Sequence, residues 1–223
     1  MKLPLIIINF KSYAEGTGNR AVGLAKICEK VSKKYDVNIT VSPQDADLFR
    51  VSSWLDIPIF AQSVEPIAPG AHTGHELALA AKEAGAIGTL INHSENRLSL
   101  TQIEQSIRVA KENGLSTVVC SPDIDFSKKI AKFKPDFIAY EFPELIGTGR
   151  AISEVMPESV REFVEVISDI DPEIIPLCGA GISEGKDVKA ALELGTKGVI
   201  VASAVVKSDD PEKVLENMAK NLK

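Results

Sequence analysis

The chain is predicted to fold as a single-domain (β/α)8 barrel, an α/β fold of parallel strands occupying residues 1–223. Three observations carry this expectation. The run Leu5-Ile6-Ile7-Ile8 is continuously aliphatic, which suits a strand buried on both faces rather than one with a solvated side. Further short apolar runs follow, each separated from the next by apolar residues at helical spacing. Eight such pairs fit into 223 residues, about one every 25 to 30 residues, which favours a closed ring over an open doubly wound sheet. No low-complexity linker interrupts the series, so one domain is expected.

Taken in order, strand one is 5–8, with Asn9 and Lys11 at its C-terminal end. Ala21, Leu24, Ala25, Cys28 and Val31 then form one helical face. Strand two is 37–41, closed by Ser42-Pro43, and a helix over 45–52 leads to strand three at 57–62. A loop over 63–74 carries two prolines and two glycines. Helix three, 76–84, stops at Gly85, and strand four, 87–91, ends in Asn92-His93. Ser99 stands three before Gln102, the spacing of a capping box, and opens helix four. That helix buries Leu100, Ile103, Ile107 and Ala110 before Gly114 ends it.

Strand five is 116–120, and a short helix over 126–133 precedes strand six, 136–140, which delivers Glu141. Pro157 suits the first turn of helix six, whose face is Val160, Phe163, Val164 and Ile167. Strand seven is 174–178, helix seven ends at Gly195, and strand eight is 197–201. Pro211 starts the last helix, with Val214, Leu215, Met218 and Leu222 facing inward.

Composition narrows the function. A formal charge of -6 and a pI near 5.2 argue against nucleic acid or an anionic membrane as partner. A phosphorylated metabolite remains compatible, provided its site is locally positive. Cys28, Cys120 and Cys178 are scattered and odd in number, which suits reduced thiols in a cytoplasmic protein without a disulfide framework or zinc site. The apolar run near the start is too short for a signal peptide or a membrane span. His72 and His75 have a spacing that can ligate metal, but no carboxylate-rich cluster accompanies them, and a loop role is favoured. No metal and no cofactor are expected.

Chemistry is expected where strands end, because barrels of this kind build their sites from the loops at the C-terminal face. Asn9, Lys11, His93 and Glu141 occupy such ends on strands one, four and six. The stretch from Ala139 to Arg150 adds a carboxylate at a strand tip followed by a glycine-containing segment, the arrangement of a site that closes to exclude water. Gly179-Ala180-Gly181 before a helix, and Ala202-Ser203 after strand eight, are candidates for an anion cradle built from backbone N–H groups.

Together, Asn9-x-Lys11, His93-Ser94-Glu95, and Tyr140-Glu141 followed by Ile146-Gly147-Thr148-Gly149 resemble the triosephosphate isomerase family. The resemblance spans the whole chain in order, and the short length is similar to the compact, archaeal-type branch. It implies the TIM-barrel fold and interconversion of dihydroxyacetone phosphate and glyceraldehyde 3-phosphate through an enediolate, in glycolysis and gluconeogenesis. It also implies Glu141 as base, His93 as a neutral electrophile at the start of a helical turn, and Lys11 as substrate-orienting cation. Asn9 would contact substrate or only orient Lys11, and Glu95 would pair with Lys11. The phosphate would rest on Ile146, Gly147, Gly181, Ala202 and Ser203. A homo-oligomer is implied, dimer or tetramer with the tetramer favoured, in which Thr73 helps hold the partner's Lys11.

The chain departs from the family pattern in placing Phe142 before Pro143 after the glutamate. It also has Gly181 in place of a serine and Ala202-Ser203 in place of paired glycines, so phosphate contacts there would be mostly backbone. Two other readings fit a phosphate-binding barrel. A phosphosugar epimerase would want a metal site of His and Asp at strand ends, and a non-catalytic barrel would only bind a metabolite.

Overall fold

The computed structural model describes residues 2–142 and 151–222. Its eight strands are β1 (Leu5–Asn9), β2 (Asn38–Ser42), β3 (Phe60–Ala61), β4 (Gly88–Ile91), β5 (Ser116–Ser121), β6 (Phe137–Tyr140), β7 (Ile175–Cys178) and β8 (Gly198–Val201). All pair in parallel, in the order β2-β1-β8-β7-β6-β5-β4-β3. The ring closes between β2 and β3 through a bridge from Val41 to Ile59, with the Val41 N–H donating to the Pro58 carbonyl at 3.0 Å.

Alternation along each strand divides the apolar residues into two layers. Leu5, Ile7, Phe60, Leu90, Val118, Cys120, Phe137, Ala139, Leu177 and Ile200 fill the barrel interior. Ile6, Ile8, Ile39, Val41, Ile138 and Val199 point outward into the larger core beneath the helices. This two-sided burial is why the strands read as unbroken aliphatic runs.

The helices are α1 (Asn19–Tyr35), α2 (Leu48–Ser52), α3 (Ala78–Glu83), α4 (Leu100–Glu112), α5 (Ile124–Ala131), α6 (Ile152–Val155), α7 (Pro157–Ile170), α8 (Gly185–Glu193), α9 (Ser203–Val206) and α10 (Pro211–Lys220). On α1, Ala21, Leu24, Ala25, Cys28 and Val31 are all buried as the periodicity requires. The Ser99–Gln102 capping box opens α4 as expected, both of its hydrogen bonds being present.

Three elements differ from expectation for local reasons. Strand three is reduced to two residues within 57–62, because Pro58 has no N–H to give to a ladder. The expected helix over 45–52 is a 3-10 turn at Asp45–Asp47 running into α2. The helix at Pro157 is preceded by a separate turn, α6. The break falls at Met156 (φ -137°, ψ 56°), since the residue before proline is driven out of the helical region. The one-turn α9 carries no periodicity and was not legible.

Interior packing is tight where β3 meets β4. A Cβ at Gly88 would lie 2.5 Å from the ring of Phe60, a fully buried side chain inside the barrel. Gly88→Ala is therefore expected to destabilise by about 1–3 kcal/mol through overpacking, lowering Tm by roughly 5 °C in a chain of this size. A thermal melt indistinguishable from wild type would show that Phe60 can move aside.

Candidate active site

The parity that packs the barrel interior also aims side chains into its mouth. Leu5 and Ile7 point inward, so Asn9 does too. Phe137 and Ala139 set the direction of Glu141, Leu177 that of Gly179, and Ile200 that of Ala202. All four line one cavity of about 510 Å³ at the C-terminal face, together with Lys11, His93, Glu95, Gly181 and Ser203.

Lys11 lies two residues beyond Asn9, past the end of β1, and is placed by its backbone. Its φ is 48°, a left-handed conformation that costs a non-glycine residue energy unless neighbours enforce it. Two do so here. The Lys11 N–H donates to Asn9 Oδ1 at 2.9 Å, and Gln62 Nε2 donates to the Lys11 carbonyl at 3.0 Å. The ammonium then reaches Glu95 Oε1 at 2.7 Å, leaving Lys11 only 9% exposed. Asn9 thus orients Lys11, and the Lys11–Glu95 pair is present as expected.

His93 follows Asn92, which is also left-handed (φ 59°). The Asn92 side chain donates to the Cys120 carbonyl at 2.8 Å and accepts the Leu98 N–H at 2.8 Å, tying the loop after β4 to β5. The segment after His93 is a single turn, closed by the Asn96 N–H on the His93 carbonyl, and α4 begins only at Leu100. The expected helical start at Ser94 is therefore corrected to a turn, because the Ser99 cap defers the helix. A direct contact takes over its electrostatic role. The Glu95 N–H donates to His93 Nδ1 at 3.2 Å, which leaves Nε2 as the ring nitrogen turned toward Glu141. That Nε2 stands 3.7 Å from Glu141 Oε1.

Glu141 is 2% exposed, and its Oε2 has no hydrogen-bond partner among the described residues. Burial raises its pKa above the ordinary carboxylate value. The neighbouring His93 imidazole, the Cys120 thiol, the Lys11 ammonium and the Ser94 backbone N–H pull it back only in part. The carboxylate fits because position 179 is glycine. A Cβ there would sit 2.8 Å from Glu141 Cγ.

The loop after β7 is anchored by Asp187, whose Oδ2 accepts the Ser183 N–H at 2.8 Å, the Ser183 hydroxyl at 2.9 Å and the Glu184 N–H at 3.0 Å. Gly181 stands before it at φ 71°. Opposite, Ala202 and Ser203 lead into α9 on the same cavity. Ile146 and Gly147 lie outside the described residues. Thr73 is exposed in its loop and does not line the cavity. His75 contacts Glu65 and meets His72 edge-on, and among the described residues no group of three His, Cys, Asp or Glu could hold a metal.

A family model described as triosephosphate isomerase matches residues 4–129 and 123–219. The triosephosphate isomerase of Methanosarcina barkeri is 46% identical over 218 residues, covering 98% of each chain. The chain belongs to the triosephosphate isomerase family. The triosephosphate isomerase of Methanocaldococcus jannaschii is 49% identical over 216 residues, covering 97% of this chain and 99% of the relative. A crystal structure of triosephosphate isomerase from Bartonella henselae superposes with a TM-score of 0.77 at 20% identity, covering 98% of each chain, and supports the fold.

Several residues that shape this family site were missed in the sequence. Gln62 and Asn92 act through backbone contacts that no spacing rule reveals. Asp187 was hidden in the first turn of α8, although a carboxylate there is a capping signal. Asp45 was also missed. It lines a second cavity of about 220 Å³ on the Gln62 side of Lys11. Burial, and then a hydrogen bond to the Glu76 carboxyl, push its pKa up to about 8.

Two outcomes follow from these contacts. Gly179→Ala is expected to displace the Glu141 carboxylate and lower turnover about 10²-fold, the effect of roughly an ångström of misplacement, with the melting transition retained. Turnover within threefold of wild type would show that Glu141 tolerates the methyl. For Asp45, a folded pKa above the unfolded value means stability is fullest below about pH 4 and declines as pH rises toward about 8. Asp45→Asn should flatten that decline in a series of melts between pH 4 and 9, and an unchanged slope would reassign the proton.

Proposed function

We infer that the chain is an aldose–ketose isomerase interconverting dihydroxyacetone phosphate and D-glyceraldehyde 3-phosphate by enediol proton transfer, in glycolysis and gluconeogenesis. One observation carries the assignment of roles: a buried carboxylate, an imidazole and a fixed ammonium converge on one cavity. Glu141 takes the proton from the carbon beside the carbonyl. His93 donates from Nε2 to the carbonyl oxygen as charge develops there, and returns a proton to the other oxygen. A neutral histidine electrophile paired with a glutamate base is the established arrangement in this enzyme family.

Lys11 holds positive charge beside both the enediolate and the phosphate, in a site where water does not screen it. The phosphate rests against the loops at Gly181 and at Ala202-Ser203, with Ile146 and Gly147 completing the cradle from the segment that follows Glu141. The base and the electrophile together supply the proton transfers of the reaction, so no cofactor or metal has a step to perform. Joined by the cation, that pair also separates an isomerase from a barrel that only binds a metabolite.

We read residues 1–223 as one domain and the protein as a cytoplasmic homo-oligomer, with the tetramer favoured. Among the described residues no helix is long and apolar enough to cross a membrane. The 220 Å³ cavity beside Lys11 and Glu95 suits a loop supplied by a second copy. The exposed Thr73 is the residue we assign to that loop, against the neighbouring copy's Lys11.

The deciding measurement is a coupled assay with D-glyceraldehyde 3-phosphate in the presence and absence of EDTA. Isomerisation unaffected by EDTA is expected, whereas activity lost on chelation would favour a metal-dependent epimerase. Glu141→Gln should lower turnover by about 10²- to 10⁴-fold, the usual contribution of a positioned base. The same variant should melt higher than wild type at alkaline pH. A carboxylate whose folded pKa is raised loses stability as pH rises through that value, and the amide does not. A variant that is both active and no more stable would remove Glu141 from its role.

A further inference from the structure

The cavity just assigned to a triose phosphate has an electrostatic deficit. Among the described residues its wall carries one cation, Lys11, and two carboxylates, Glu95 and Glu141. Lys11 is already paired to Glu95 at 2.7 Å, so with Glu141 ionised the wall sums to minus one (+1 − 1 − 1). The chain as a whole carries a formal charge of -6. A phosphate dianion approaching this mouth meets repulsion unless another cation stands at the phosphate end.

Lys207 occupies that place. Its backbone N–H donates to the Ser203 carbonyl at 3.0 Å, so it lies one turn beyond a residue that lines the cavity. Residues four apart share a helical face, and long side chains lean back toward the preceding turn. The lysine therefore extends toward Ser203 and the mouth rather than away from it. An independent contact fixes the direction. The Lys207 ammonium sits 5.5 Å from the centroid of the Tyr13 ring, and Tyr13, in the loop after the neighbouring strand β1, lines the same cavity. An ammonium over an aromatic face is held by the ring quadrupole without being neutralised. Among the described residues no carboxylate pairs with it, so its charge stays available to an incoming anion.

We propose that Lys207, held against Tyr13 at the rim between β1 and α9, is a steering residue that draws the substrate's phosphate into the cavity and lies outside the proton-transfer machinery. The proposal rests on the isomerase reading, and assigns the phosphate its direction of entry. A charge at the rim acts on encounter and weak binding, and ions in solution screen it within about 8–10 Å at physiological salt. It therefore belongs in kcat/KM and in salt dependence, and not in kcat.

The test compares wild type, Lys207→Gln, Lys207→Arg and the distant control Lys189→Gln on α8, which changes net charge equally. Kinetics with D-glyceraldehyde 3-phosphate are measured at low and high ionic strength, with circular dichroism confirming the fold of each. Wild-type turnover in this assay stands or falls with the isomerase reading itself; only the ratios between variants bear on Lys207. For Lys207→Gln, kcat/KM should fall about three- to tenfold at low salt, the scale of one charge acting on a dianion through water, with kcat within twofold. The gap should close at high salt, and Lys207→Arg and Lys189→Gln should resemble wild type. Four results would each overturn the proposal: an unchanged kcat/KM in Lys207→Gln, a deficit that persists at high salt, an equal deficit in Lys207→Arg, or one in Lys189→Gln.

Discussion

Everything at the mouth of this barrel is arranged around a carboxylate kept out of water. Glu141 is placed by the inward parity of β6, at a point where the floor of the site is apolar side chains from the barrel interior. Its charged form is penalised there, which is what gives it basicity. The neighbours limit the penalty without removing it. His93 offers an N–H from one side, Cys120 lies against it from β5, and Gly179 contributes nothing but space. A fold optimised only for stability would fill that space.

Lys11 illustrates a complementary device. Its backbone is held in a conformation that lysine seldom adopts, and the holding groups come from two different loops, Asn9 within its own strand end and Gln62 beyond β3. Glu95 then fixes the far end of the side chain. A flexible four-carbon chain is thereby made into a positioned charge, with its conformational entropy removed before any ligand arrives.

How much of this was legible in the residues follows from which forces are local. Burial on two faces writes itself into sequence as unbroken aliphatic runs, so the strands and the ring could be read, and strand ends could be nominated as the site. Capping at Ser99 and the start at Pro157 were visible for the same reason, since each depends on residues a few positions apart. The turn after His93 was misjudged because Ser94 to Arg97 has the composition of a helical start, while the hydrogen bond that matters runs from the Glu95 backbone to the ring. Gln62, Asn92 and Asp45 were invisible because each has a partner that lies 20 residues or more away in the chain. The roles proposed for His93 and Lys11 came from the family resemblance, and the geometry places both side chains on one cavity.

The ring of strands is not equally fastened all round. Where β2 meets β3, an isolated bridge stands in for a ladder, with Gln62 reaching across to the Ser42 carbonyl at 3.1 Å as a side-chain stitch. The long loop over 63–74 springs from this join, beside the cavity we assign to a neighbouring copy. A cylinder lightly sewn at this edge can let that loop vary in length and shape while the ladders around β1, β4, β5 and β6 hold the residues at the mouth in register. The association between copies that we propose would then have somewhere to act on the fold without passing through the carboxylate at its heart.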